Sequence, residues 1–406
     1  MSKNRNNDSI KYLILALGAF AIFFTGYPHI WSIYQPYAME LTGWSRSQAS
    51  LAFYLSFLAF VPGNIIGGRI QDKSNPRMVV LVGGGIFAAG ILLAAFSMQE
   101  SPMLLYLTYG LMQGFGQGMI YTTIISTAQK WFPDRTGFAS GVIVTANGLC
   151  GFFLAPFSRE LLAKQGIKVT FLVIGSLIAV SWVLISLVIR NPVKSREDGG
   201  QKAAVYGGKQ YTSGEMLRTR KFYFLLAVML FGLIPYLILS PLSQTIQMER
   251  GIASAVAVSS VMIGSVCNAA ARLLLPTAAD KVGRTVCLRF VLAAIIAAML
   301  LLIVAPSWVA TVCVVLMYAC YGGIMGSFPS LASSIFGMEH SGENYGFVMV
   351  GIIVATLSAP VITDSILGAG FDIDLVFGIG ALCGAAALVF LLLLERELKK
   401  ERNQVS

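Results

Sequence analysis

One arginine, Arg272, stands inside an otherwise apolar run at residues 265–285, which the polar turn Asp280-Lys281-Val282-Gly283-Arg284 closes. At helical rise it lies roughly 12 Å inside that turn. In a hydrocarbon core about 30 Å thick this is near mid-depth. A guanidinium there costs roughly 3 kcal/mol or more unless a counter-charge or a water-filled cavity receives it. The apolar run supplies no acid. An anionic ligand would supply what is missing, because the planar fork of an arginine makes two parallel charge-assisted hydrogen bonds to a carboxylate. Asn268, four residues earlier on the same helical face, is placed to orient the fork or to bond the same ligand.

Other polar side chains fall at membrane depth. Gln117 and Tyr121 share a face four residues apart within a glycine-rich stretch, and such small residues let helices approach closely. Asn147 adds a further amide. Tyr34 belongs to Tyr27-Pro28-His29-Ile30-Trp31-Ser32-Ile33-Tyr34-Gln35-Pro36, whose two prolines predict a bent or broken helix. His29 in that stretch is the candidate carrier of a coupling proton, since imidazole titrates near neutrality. Tyr236, beside Pro235, and Tyr318 and Tyr321, ahead of Gly322-Gly323, can offer a hydroxyl to a carboxylate while presenting apolar rings.

Membrane helices must position these residues. The 406 residues are 56% hydrophobic and 12% charged, about half the charged fraction of a soluble chain. The apolar runs are of helical length and lack the alternation of barrel strands. The expected fold is an all-α polytopic membrane protein. Its spans 1 to 12 are predicted at 11–38, 47–69, 77–98, 103–129, 137–163, 168–190, 221–246, 254–279, 286–306, 309–336, 344–368 and 373–395. The long polar connection 191–220, with Lys194, Arg196, Lys202, Lys209, Arg218 and Arg220, divides a six-helix half at 1–190 from another at 221–406. The polar, basic start runs into the first span without a small-residue cleavage site, so no cleaved signal peptide is expected.

With the N-terminus inside, only Arg46, Arg159, Lys164, Lys168 and Arg250 of the 29 lysines and arginines fall outside the membrane on the far side. Both termini are therefore expected in the cytoplasm. The net charge of +10 is then an orientation signal, and the bilayer rather than nucleic acid is the expected macromolecular surface. The six cysteines lie in or beside apolar stretches without metal-ligand spacing and read as packing residues.

The halves echo each other. Gly68-Arg69-Ile70-Gln71-Asp72-Lys73 follows span 2, and Pro276-Thr277-Ala278-Ala279-Asp280-Lys281-Val282-Gly283-Arg284 follows span 8, with the Asp-Lys pairs in matching places. A parallel repeat about an axis along the membrane normal accounts for this. The repeated Asp-Lys turn resembles the signature of the major facilitator superfamily, which implies a twelve-helix secondary transporter in which Asp72, Lys73, Asp280, Lys281 and Arg284 gate the cytoplasmic side. The first copy departs from the pattern, with Asn75-Pro76 where Gly-Arg is expected, which implies a weaker gate there.

Three further stretches narrow the resemblance: Gly43-Trp44-Ser45, Lys130-Trp131-Phe132-Pro133-Asp134-Arg135-Thr136-Gly137, and Asn344-Tyr345-Gly346. Together they are similar to the oxalate/formate antiporter family and to the monocarboxylate transporters. This likeness makes Arg272 the arginine that receives the substrate carboxylate and puts Tyr121 opposite it. The oxalate exchanger carries a lysine on span 11, whereas Phe347-Val348-Met349-Val350-Gly351 here holds no cation. Animal monocarboxylate carriers place an aspartate four residues before the arginine, where this chain has Asn268.

The expected activity is alternating-access carriage of small monocarboxylates of the lactate, pyruvate or formate class. It would be coupled to a proton or a counter-anion, in a plasma (inner) membrane, by a monomer without cofactor. An oxalate/formate-type exchanger is the alternative. A drug-efflux carrier would place an acid, not an arginine, in the cavity, and the chain holds no sizeable soluble domain for a sensor. No phosphate loop, metal cluster or Ser-His-Asp set suggests an ATP-driven pump or a hydrolase.

Overall fold

The computed structural model describes residues 2–100, 103–192, 209–304 and 306–405, so Lys194, Arg196 and Lys202 lie outside the described residues. Every regular element among them is helical. Ten helices are long and apolar enough to cross a membrane. One of these, Thr136–Val188, is two spans joined at Gly166, whose positive φ of 76° turns the chain. Another span, 103–131, is interrupted by a π-helical turn at Tyr106–Met112. The described residues thus contain all twelve expected spans.

Two compact units result. The first comprises Met1–Thr212 with Ser333–Phe347, and the second Ser213–Ala332 with Val348–Ser406. In the first, span 1 is broken as its prolines predict: Ser2–Phe23 passes through a 3₁₀ segment, Phe24–Ile30, into Trp31–Thr42. Gly43 ends this helix in the left-handed region, with φ 67°. Ser45 then opens Arg46–Lys73 with a capping box, its hydroxyl accepting from the Gln48 amide while Gln48 Oε1 accepts from the Ser45 amide. Asn75-Pro76 has an equally local cause. Asn75 Oδ1 accepts from the Arg77 amide at 3.0 Å, and Pro76 is the first residue of the helix Pro76–Glu100. Span 4 packs through glycines, and a Cβ on Gly118 would lie 2.0 Å from the Phe60 carbonyl oxygen.

The second unit holds Arg220–Glu249, Ser254–Val282, Arg284–Val304, most of Ser307–Phe336, Val350–Gly368 and Ile373–Val405. The last helix runs past its expected end at 395. Its polar turns are paired there, Glu395 with Arg289 at 3.2 Å and Glu401 with the buried Lys221 at 2.7 Å. Polarity is inverted relative to a soluble protein: Gln113, Gln117, Asn147 and Arg272 are buried, whereas Phe290, Leu382 and Val304 face outward. That is the arrangement a lipid solvent selects.

The span 2–span 4 contact is directly testable. Gly118→Leu pushes a side chain into the backbone of span 2, where no rotamer change relieves it. The expected loss is about 1–3 kcal/mol or more, read as a lower melting temperature in detergent. Gly85→Leu, whose Cβ meets nothing within 4 Å, should leave it unchanged.

Candidate functional site

In the second unit, span 8 and span 10 touch backbone to backbone at the central arginine. A Cβ at Gly322 would lie 2.1 Å from the Asn268 carbonyl oxygen, and one at Gly326 would lie 2.4 Å from that of Arg272. Arg272 is 6% exposed. Its Nε donates to Asn268 Oδ1 at 2.9 Å, a bond that fixes the plane of the guanidinium without adding a charge. The guanidinium carbon sits 5.7 Å from the centre of the Tyr321 ring, an attraction of about 0.5–2 kcal/mol. Tyr321 stacks on Tyr236 at 4.1 Å, and Tyr236 meets Tyr318 edge-on at 5.1 Å. Ser240 Oγ lies 3.4 Å from the hydroxyls of both Tyr236 and Tyr318. Arg272, Asn268, Tyr236, Tyr318 and Tyr321 therefore form one cluster. Its chemistry is that of an oriented cation walled by aromatic rings, suited to an anion with a small apolar part.

In the first unit, Gln117 and Asn147 converge on span 1 at Thr25. A 3₁₀ bond from the Thr25 carbonyl would need the amide hydrogen of residue 28, but Pro28 has none. Gln117 Nε2 donates to that carbonyl instead, at 2.6 Å. Asn147 Nδ2 donates to Thr25 Oγ1 at 2.9 Å, and Gln113 Nε2 donates to Gln117 Oε1 at 2.8 Å. Thr25 and Gln113 escaped the sequence reading, although a proline three residues after a threonine in a membrane helix was a usable signal. Tyr121 is buried against Phe60, ring centres 5.4 Å apart. Tyr34 is fully buried, donates to Ser158 Oγ at 2.9 Å and stacks on Phe171. The His29 side chain lies outside the described residues.

The Asp-Lys turns differ. Asp72, with a side chain only 1% exposed, pairs with Lys130 Nζ at 3.0 Å, and its second oxygen accepts from the Glu343 amide at 2.9 Å. Glu343 lies in the first turn of the helix Ser341–Val348, whose N-terminal end favours a carboxylate. Gln129 Oε1 accepts from Ser333 at 2.6 Å nearby. The Asn75-Pro76 departure thus leaves Asp72 with two strong partners. Asp280 pairs with Arg284 at 3.0 Å across the Gly283 turn that separates their two helices. Lys73 and Lys281 are exposed. The sequence motif pointed to Asp72 but not to Lys130 or Glu343 as its partners.

Multiple apolar helices around buried polar clusters define a multi-pass membrane protein. Residues 14–360 match the model of the Major Facilitator Superfamily, and the chain belongs to that superfamily of transporters. It is 30% identical over 349 residues to the oxalate:formate antiporter of Oxalobacter formigenes, covering 85% of this chain and 82% of that protein. It is also 31% identical over 153 residues to monocarboxylate transporter 2 of Meriones unguiculatus, 35% of this chain and 31% of that protein. Among solved structures, the fucose:proton symporter of E. coli shares the fold at a TM-score of 0.72 and 16% identity, over 95% of this chain and 99% of that one.

Two outcomes follow from this geometry. Gln117→Leu strands the Thr25 carbonyl in apolar surroundings and should cost about 1–3 kcal/mol of stability, visible in thermal denaturation. Lys130→Met leaves the buried Asp72 carboxylate without its cation and should cost about 3–5 kcal/mol. The double variant Lys130→Met/Asp72→Asn should regain most of that loss in the same assay.

Proposed function

We propose that this transporter carries small monocarboxylate anions, of the lactate, pyruvate or formate class, by alternating access. Arg272 receives the carboxylate, Asn268 sets the plane of its fork, and Tyr236, Tyr318 and Tyr321 wall the apolar part. The single observation carrying the reading is the buried arginine whose plane a neutral amide sets: Asn268 Oδ1 orients the guanidinium beside the stacked rings of Tyr321 and Tyr236. Gln117, Asn147, Tyr121 and Tyr34 are the candidates from the first unit, with Gln117 and Asn147 acting through span 1. Asp72, Lys73, Asp280, Lys281 and Arg284 serve the cytoplasmic gate, with Lys130 as the counter-charge of Asp72.

The cycle is coupled to a proton, for which His29 is the candidate carrier, or to a counter-anion. The protein sits in a plasma (inner) membrane as a monomer with both termini in the cytoplasm. Oxalate/formate-type exchange is the second reading, favoured by the long match to the oxalate:formate antiporter. Against it stands the span 11 segment Phe347-Val348-Met349-Val350-Gly351, which offers no second cation for a second carboxylate.

Uptake of labelled formate, lactate, pyruvate and oxalate into proteoliposomes separates the two. Gradient-driven accumulation of a monocarboxylate is expected in the wild type. Arg272→Lys should lose about tenfold or more, because a point charge cannot replace a bidentate fork worth about 1.5–3 kcal/mol. Uptake of oxalate alone, and only against internal formate or oxalate, would replace this reading with exchange. Arg272→Lys transport at the wild-type rate would remove the arginine from the site.

A further inference from the structure

The residues just ahead of the short helix Ser213–Leu217, which leads into span 7, do more than connect two helices. Tyr211, only 4% exposed, donates its amide to the Phe336 carbonyl at 2.9 Å. That carbonyl ends span 10, where helical acceptors otherwise lack partners. Gly337 follows with φ 86° and leaves room for Gln210: a Cβ there would lie 2.2 Å from Gln210 Oε1. The same Oε1 accepts from the Glu339 amide at 3.0 Å. From the other side of the turn, Asn344 Nδ2 donates to the Tyr211 carbonyl at 2.9 Å. The Tyr211 ring meets Phe336 edge-on at 5.8 Å, and Lys209 Nζ sits 4.6 Å over that ring.

Residues 209–212 and 333–347 belong to the same compact unit. The strand of chain at 209–212 therefore grips the 337–344 turn at its start, middle and end. The residue next to the last grip, Glu343, is the one whose amide donates to Asp72. A hydrogen bond to a buried carboxylate depends steeply on donor direction, and the grip at Phe336, Glu339 and Asn344 sets that direction.

We propose that residues 209–212 are a strap for the cytoplasmic gate, with Gln210 and Tyr211 as positioning residues that hold the Glu343 amide on Asp72. The strap rests on the gate role of Asp72 and extends it to a segment outside the Asp-Lys motif. It makes the end of the central connection part of the closing machinery.

Ser126, buried and bonded at 2.8 Å to Gln71, the residue next to Asp72, reports on the lock. The test is labelling of Ser126→Cys by a hydrophilic maleimide in nanodiscs, measured above the wild-type background, with amide hydrogen exchange of 337–346 alongside. Gln210→Ala and Tyr211→Ala should each raise labelling several-fold and speed exchange of the turn. Asp72→Asn should raise labelling as well, and Tyr211→Ala combined with it should add nothing further. If Asp72→Asn raises labelling but neither strap variant does, the strap is overturned and the gate stands. Labelling that rises fully additively in the combination also overturns the strap. No rise with Asp72→Asn overturns the gate and the strap together.

Discussion

A hydrogen-bonding group inside a bilayer has no water to fall back on, so each one must find its partner within the chain or from a ligand. Both units meet this demand at one place each. In the first, a proline deprives the Thr25 carbonyl of its donor, and two amides from spans 4 and 5 converge on that residue. In the second, a buried guanidinium meets the Asn268 amide oxygen and the Tyr321 ring. These groups cost stability in hydrocarbon, and packing around them is what keeps them in place.

That packing is made by glycines more than by large side chains. Gly322 and Gly326 bring the backbone of span 10 against the carbonyls of Asn268 and Arg272 themselves. The arginine therefore rises from a contact between two backbones, whose geometry no rotamer change can loosen. Tyr318 and Tyr321 lie on the same helix as those glycines, so the aromatic wall and the cation are placed by one contact. Precision at this face thus follows from the absence of side chains one turn away.

The sequence made the fold legible because the lipid solvent imposes a simple pattern: apolar runs of fixed length, with basic residues on one side. It also exposed the broken first span, through Pro28 and Pro36, and Arg272 with Asn268, through a charge in an apolar run at helical spacing. The π-helical turn at Tyr106–Met112 carried no such mark, since one inserted residue leaves composition unchanged. The partners of Asp72 were hidden for another reason. Lys130 and Glu343 are far apart in the chain, and a backbone amide has no sequence identity. The three tyrosines near Arg272 were visible as aromatic residues at depth, but their mutual stacking depends on the crossing of spans 7 and 10.

The neutral residue at position 268 shapes the proposed cycle. An aspartate there would tie up the arginine's charge permanently, and an anion would have to displace it. Asn268 orders the guanidinium through a neutral oxygen, and in the proposed cycle the cargo brings its negative charge to that oriented fork. A buried charge costs several kcal/mol in a low-dielectric space, and in the proposed cycle a carboxylate arriving at Arg272 lowers that cost. On this reading the arginine acts as the receptor for the carboxylate, and its occupancy bears on closure. The Asp72 contacts obey the same electrostatics with the sign reversed: a buried carboxylate is tolerated while Lys130 and the Glu343 amide face it, so parting from either requires water or a new partner to arrive.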